Sequence, residues 1–146
     1  MSDQCGHVAI TVPALEEAEE YYRALFDMQV VTRETADGRQ LPHGKSWKDA
    51  HARGIDLYML ALRRGEFVLA LFSEGPSIDN QSGAPRRPLF IGLQMPPDEI
   101  ASVRARCREG ETWDRDQFRD RYGIGWQLGI HEFKGSGDAS ARWLQL

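Results

Sequence analysis

Residues 7–13 read His-Val-Ala-Ile-Thr-Val-Pro, and residues 90–96 read Phe-Ile-Gly-Leu-Gln-Met-Pro, at an offset of 83 positions. In both segments every second residue is a large apolar one until a proline ends the run, which predicts a strand with one apolar face. After each proline, apolar residues recur at three- and four-residue steps among acidic ones, which predicts a helix. The chain therefore repeats a strand followed by a helix, and this repeat decides the predicted fold.

The remaining elements of both halves are predicted from short apolar runs bounded by glycine, proline or charged residues. In the first half the predicted strands are 28–34, 56–62 and 66–72, and a long loop with one helical turn spans 35–53. In the second half the predicted strands are 112–118, 125–133 and 141–146. Both halves are thus predicted to have the order βαβββ.

A βαβββ half covers its sheet with a helix on one face only, so the other face needs cover or a ligand. We therefore predict an α+β fold in which two βαβββ modules form a curved mixed sheet with an open cleft. The predicted single domain, 1–146, contains a first module at 4–75, a linker at 76–87 and a second module at 88–146.

The composition limits the classes of protein that the chain can represent. With 146 residues, of which 41% are hydrophobic, it can bury one core without metal or disulfide support. A net charge of -4 argues against non-specific nucleic-acid binding. The longest apolar run, 67–72, is far shorter than the ~20 residues that span a bilayer, and no secretory signal is recognised. We therefore expect a cytoplasmic protein with no nucleic-acid or membrane partner, whose two cysteines remain thiols.

The residues that alternate with the helix-facing set are expected to face the cleft. They combine aromatic rings with polar groups, which suits a small, flat and partly aromatic organic molecule. The predicted ligand-binding residues are His7, Thr11, Phe72, Phe90, Gln94, Trp126, Trp143 and Gln145. Packing in the core or at a subunit interface is an equally good explanation of the tryptophans.

Segment 6–12, followed at 15–26 by a helix of the form Leu-Glu-Glu-Ala-x-x-Tyr-Tyr-Arg-x-Leu-Phe, resembles the vicinal oxygen chelate superfamily. That superfamily includes glyoxalases, extradiol dioxygenases, fosfomycin-modifying enzymes and bleomycin-resistance binding proteins. The resemblance covers essentially the whole chain, is most specific over 6–31, and is interrupted by an insertion at 35–55. It implies a homodimer with a small-molecule cleft. The stretch 122–127 resembles the glycine-aromatic segment of drug-sequestering members.

In metal-dependent members, the ligands come from a His in the first strand and a Glu in the fourth strand of each module. Carried over to this chain, these four positions hold His7, Ala70, Phe90 and Gln145. Only His7 is a strong ligand, whereas a protein-bound divalent ion normally takes three or more N, O or S ligands. The resemblance therefore implies a binding protein without a tightly held metal ion; if a metal does bind, His7 and Gln145 are the predicted ligands.

The alternative is a metal-dependent lyase, isomerase or dioxygenase of the same superfamily. It requires a register shifted by two residues, or substitute ligands from His131, Glu132 or Glu66, and the two carboxylates are also the candidate general bases. His43 and His51 fall in the long loop, where exposure to solvent is expected. A third reading is a relic whose pocket is filled by its own side chains. The sequence identifies no catalytic residue.

Overall fold

The computed structural model describes residues 5–74, 89–107, 112–129, 137–142 and 144–145. The chain divides into two compact units, residues 1–87 and 88–146, which are called the first and second unit below. The predicted linker at 76–87 lies outside the described residues. Within the described ranges, none of the helices combines the length and apolar character that crossing a membrane requires.

The first unit forms a four-stranded sheet in the order β1-β4-β3-β2. Strand β1 is parallel to β4, and the other neighbours are antiparallel. The helical turn predicted in the long loop is a short helix closed by a capping box between Ser46 and Asp49. The elements are β1 (Val8–Thr11), α1 (Leu15–Phe26), β2 (Gln29–Glu34), α2 (Trp47–Ala52), β3 (Met59–Arg64) and β4 (Phe67–Phe72).

The second unit repeats this topology in a sheet of its own, with the order β5-β8-β7-β6 and with β5 parallel to β8. The predicted α+β class and the βαβββ repeat are therefore confirmed. The strands form two four-stranded sheets. The elements are β5 (Ile91–Gln94), α3 (Pro97–Arg106), β6 (Thr112–Asp114), β7 (Gln117–Arg119) and β8 (Gly125–Gly129).

The prediction of a single strand at 112–118 is wrong, because the chain turns between Asp114 and Gln117 and forms a hairpin. Arg115 occupies the left-handed region in this turn, with φ of 58°. The three strands expected after α3 are consequently all present within residues 112–129. The described residues of the segment 141–146, which was predicted as the last strand, are not part of a strand.

Each sheet has a covered face, which packs against a helix, and an opposite face, which is called the open face below. Helix α1 contacts β3 and β4, and helix α3 contacts β8. On the covered faces the large apolar side chains are fully buried, which makes these faces the cores of the two units. The fully buried strand residues are Leu60, Leu62, Leu69, Leu71, Trp126 and Leu128.

An ion pair fixes α1 to the edge strand β2 of the first unit. The carboxylate of Glu19, which is buried, accepts hydrogen bonds from Arg33 Nε at 2.6 Å and from Arg33 Nη2 at 3.0 Å. Such a two-pronged pair compensates for the burial of the carboxylate. Arg33 lies opposite Leu60 in the β2–β3 register, so this contact also identifies the covered face of the sheet.

Candidate functional site

The open face of the first sheet carries two of the predicted ligand-binding residues side by side. In β1, Ala9 and Thr11 are exposed, whereas the residues between and before them are partly buried. Thr11 lies opposite Phe72 of β4 in the parallel register, and Ala9 lies opposite Ala70. Because paired residues on neighbouring strands point to the same face, a hydroxyl and a phenyl ring are adjacent there.

The ring of Phe72 is supported by a second aromatic side chain. Tyr58 contacts it edge-on, with 5.7 Å between the ring centroids. The Tyr58 hydroxyl donates a hydrogen bond to the carbonyl oxygen of Glu74 at 3.2 Å. These two contacts restrict both rings at the end of β4, which leaves Phe72 as a positioned aromatic surface.

His7 lies directly before β1 and is exposed. Its ring is therefore accessible from solvent, as binding to a ligand or a metal ion requires. The structure places His7 in the first unit together with Thr11 and Phe72.

The open face of the second sheet is lined by glycines and carboxamides. Gly92 and Gln94 of β5 are exposed, and Gln127 of β8 lies opposite Gly92. Gln117 of β7 lies opposite Gln127 in turn. A side-chain carbon added at Gly92 would meet no atom within 4 Å, so the floor of this face is free.

Phe90 precedes β5 and is half-buried. Its backbone runs close to Gly125, where an added Cβ would lie 2.4 Å from the carbonyl oxygen of Leu89 and 3.3 Å from Cα of Phe90. Only a glycine permits this approach, since real Cβ atoms do not come so close to backbone atoms. Gly125 therefore fixes the path of the segment that carries the Phe90 ring.

Trp126 lies on the covered face of the second sheet. It is fully buried, opposite Ile91 and Phe118, and its Nε1 donates a hydrogen bond to Asp120 Oδ2 at 2.9 Å. The other oxygen of Asp120 accepts from the backbone N–H groups of two further residues, Tyr122 and Ile124. Trp126 is thus a core residue, and its ring does not line the open face on which the sequence analysis expected it.

The parallel pairing identifies the fourth strand of each module. Strand β8 pairs with β5 as β4 pairs with β1, and Gly92 lies opposite Gln127 as Ala9 lies opposite Ala70. The counterpart of Ala70 is therefore Gln127, and assigning that position to Gln145 was an error caused by the missed β6–β7 hairpin. Gln145 is exposed and outside any strand. The sequence signal for Gln127 was the alternation within the short segment 125–129.

Trp143, His131 and Glu132 lie outside the described residues. Glu66 is exposed in the turn between β3 and β4, and His43 is exposed in the loop before α2.

The four positions at which metal-dependent relatives are expected to hold ligands contain His7 and Ala70 in the first unit, and Phe90 and Gln127 in the second. A methyl and a phenyl group donate no electron pair, so the first unit keeps one imidazole and the second unit one carboxamide. Neither of these fits a tightly held divalent ion, which normally takes three or more ligands. In the part of the chain that the structure describes, no three His, Cys, Asp or Glu side chains are grouped as a metal site.

A cavity of about 480 Å³ lies along the outer side of α1. Carboxylates dominate its wall, and Trp47 of α2 closes one side. Next to it, His51 Nε2 lies 2.9 Å from a carboxylate oxygen of Glu16. None of the predicted ligand-binding residues lines this cavity, whose wall consists of Glu16, Glu19, Glu20, Arg23, Ala24, Asp27, Met28 and Trp47.

The two βαβββ units are shared with a family of known proteins. Residues 4–109 match the family described as the Glyoxalase/Bleomycin resistance protein/Dioxygenase superfamily. The chain belongs to this superfamily, which confirms the resemblance seen in the sequence. No curated protein sequence matches the chain.

Solved structures with the same fold include fosfomycin resistance proteins. FosX from Mesorhizobium loti is 15% identical, with a TM-score of 0.58 over 90% of this chain and 94% of that chain. FosX from Listeria monocytogenes, solved in complex with Mn(II) and a sulfate ion, is 13% identical, with a TM-score of 0.56 over 88% and 92%. Protein PA1353 from Pseudomonas aeruginosa is 15% identical, with a TM-score of 0.54 over 84% and 96%. At these identities the likeness establishes the fold.

Proposed function

We propose that this protein binds a small, partly aromatic organic molecule on the open faces of its sheets, without a tightly held metal ion. The observation that carries the proposal is that each open face combines an aromatic ring with neutral polar groups. In the first unit Phe72 lies beside the hydroxyl of Thr11, and in the second unit Phe90 precedes the strand that carries Gln94. Aromatic walls with a few polar groups are typical of sites for organic ligands.

The donor set at the expected metal positions supports binding without metal. Only His7 provides a strong ligand there, and Gln127 provides a neutral carboxamide oxygen. FosX from Listeria, in contrast, was solved with bound Mn(II). The alternative function is therefore a metal-dependent lyase, isomerase or dioxygenase, and an experiment must exclude it.

Metal analysis of protein purified without chelator separates these two functions. We expect substoichiometric divalent metal in the wild type and the same content in a His7→Ala variant. One metal ion per chain in the wild type, lost in His7→Ala, would overturn the proposal, because metal affinity depends on such a ligand.

Ligand binding is tested by thermal unfolding with planar aromatic compounds in the presence of EDTA. A compound at about 100 times its Kd adds about 2.7 kcal/mol to the stability, which raises Tm by roughly 5–10 °C for a chain of this size. An Ile55→Ala variant, altered at an exposed apolar residue of the loop between α2 and β3, serves as the control and should respond as the wild type does. No response to any compound would favour a pocket filled by the chain's own side chains.

We further propose that the protein is a cytoplasmic homodimer, as the family resemblance implies. Sedimentation equilibrium should give twice the chain mass of 16.6 kDa, and a monomer at micromolar concentration would contradict the dimer.

A further inference from the structure

Three glutamines lie on adjacent strands of the open face of the second sheet. Gln117 of β7 is opposite Gln127 of β8. Gln94 of β5 is on the same face, two residues after Gly92, the residue opposite Gln127. Gln94 is exposed, and the other two are partly exposed. The three strands therefore present a row of carboxamides to solvent.

The carboxamides of β8 and β5 each have a glycine as their direct neighbour across the strands. Gln127 lies opposite Gly92, and Gln94 lies opposite Gly129. An added Cβ at Gly92 would meet nothing within 4 Å. Glycines at such positions let a ligand approach the backbone closely, so a flat ring has room to lie on the sheet with its edge toward the glutamines.

The fixed charges on this face have opposite signs. The register places Arg119, opposite Gly125, and Asp114, opposite Gln117, on the same face as the carboxamides. Arg119 Nη1 donates a hydrogen bond to the carbonyl oxygen of Gly123 at 2.7 Å. Among the described strand residues of this face, one cation and one anion largely cancel, so these residues do not favour a charged ligand of either sign.

We propose that the Gln94–Gln117–Gln127 face recognises a neutral planar ligand through an amide edge, that is, a C=O acceptor beside an N–H donor. A glutamine carboxamide offers both a donor and an acceptor, and an amide edge pairs with both. A carboxylate or phosphonate only accepts, and an ammonium or amidinium only donates, so either leaves one glutamine atom without its partner. This inference rests on the proposed function and names the ligand class for it.

Three compounds of one shape test the inference. Benzamide is neutral, benzoate is its anionic counterpart and benzamidinium its cationic one. Each is titrated into ¹⁵N-labelled protein in EDTA, and the backbone amides of Gly92, Gly125 and Gly129 are followed. We expect benzamide to shift these signals with a Kd at least about fivefold lower than the other two, in the millimolar range of so small a ligand.

An isosteric substitution reverses the expected preference. Gln127→Glu replaces the carboxamide by an acceptor-only carboxylate, so we expect benzamide affinity to fall about fivefold and benzamidinium affinity to rise. Gln94→Glu should act in the same direction. Glu20→Gln, the reverse exchange at an exposed position of α1 in the first unit, is the matched control and should leave both affinities within about twofold.

The outcomes separate the inference from the function on which it rests. Benzoate or benzamidinium binding as tightly as benzamide, with shifts at the same glycines, would overturn the amide preference and leave the proposed function intact. Benzamide binding that Gln127→Glu and Gln94→Glu do not change would also overturn it. Absence of shifts with all three compounds would contradict both this inference and the proposed function.

Discussion

The two units share a strand order but differ in what their open faces present. In both units the covered face is built from large apolar residues, such as Leu69 in the first and Leu128 in the second, each fully buried. The open face of the first sheet pairs Ala9 with Ala70 at the position where the second sheet pairs Gly92 with Gln127. The covered faces of the two units are therefore alike in their apolar side chains, whereas the open faces carry different side chains at equivalent positions.

This difference teaches that the fold and the site depend on different residues. The covered face determines the topology, because its burial provides most of the stabilising free energy. The open face is free to exchange methyl, phenyl, imidazole and carboxamide groups without altering the sheet. Membership of the superfamily therefore defines the fold, while the site must be argued from its own side chains.

The largest expected effect comes from removing a residue of the covered face. Trp126→Ala should lower the free energy of unfolding by about 3–5 kcal/mol, because it leaves a cavity in the core. Gln127→Ala, next to it in the chain but on the open face, should change the stability by no more than about 0.5 kcal/mol. Urea denaturation monitored by circular dichroism measures both changes in the free energy of unfolding. Equal decreases for the two variants would contradict the proposal that the covered face stabilises the fold and the open face does not.

The ion pair in the first unit should give the next largest effect. Arg33→Met leaves the carboxylate of Glu19, which is 5% exposed, without its main partner and should cost about 3 kcal/mol. The double variant Glu19→Met/Arg33→Met should recover most of that loss.

Arg39→Met provides the control for this charge removal. Arg39 pairs with Asp37 at 2.9 Å, and both side chains are exposed, so its loss should cost much less than the loss of Arg33, because water screens the pair. If Arg33→Met costs no more than Arg39→Met, the pair does not stabilise the covered face.

A smaller effect is expected from the aromatic rings of the open faces. Phe72→Ala and Phe90→Ala should each weaken the binding of a planar aromatic compound by about 0.5–1.5 kcal/mol, which is the range for one ring contact. Isothermal titration calorimetry measures the change, with Ile55→Ala, at an exposed apolar residue outside the sheets, as the control. If only one of the two substitutions weakens binding, only the unit that carries that residue supplies the aromatic contact to the ligand.

The smallest effect concerns α2, an element of the first unit. The backbone N–H of Ser46, and then its hydroxyl, bond the carboxylate of Asp49 and lower the pKa of that carboxyl. A pKa that is lower in the folded state means that the cap stabilises α2 above the unfolded value of about 3.9 and that this contribution is lost as the pH falls through the folded value.

Backbone amide shifts over 47–52 should therefore report fraying of α2 in acid, and Asp49→Asn should remove that transition. A variant that still shows the acid transition would assign it to another group.

Apolar periodicity explains why much of the fold could be predicted. The strands β1 and β5 and the helices that follow them carry the alternating and helical patterns over enough residues to be recognised. The β6–β7 hairpin could not be predicted in the same way. Its turn is made by Arg115 in a left-handed conformation, which usually marks a glycine or asparagine, and neither of these residues interrupts 112–118.

The same omission explains the errors in the site. Counting 112–118 as one strand displaced the fourth strand of the second module to the C-terminus and put Gln145 in the place of Gln127. Trp126 was assigned to the cleft because an aromatic residue beside glycines suits a ligand, but the alternation within 125–129 puts it on the face opposite to Gln127, where it packs opposite Ile91 and Phe118. By contrast, the exposure of Thr11 and Gln94 followed directly from the strand alternation.

If an organic ligand binds without a metal ion, its affinity does not depend on whether a divalent ion is available. Benzamide is added to ¹⁵N-labelled protein first in excess EDTA and then after replacement of the chelator by Zn(II). We expect the same shifts of Gly92 and Gln127 and the same Kd in both conditions. Shifts that arise only when Zn(II) is present, and that His7→Ala abolishes, would contradict it.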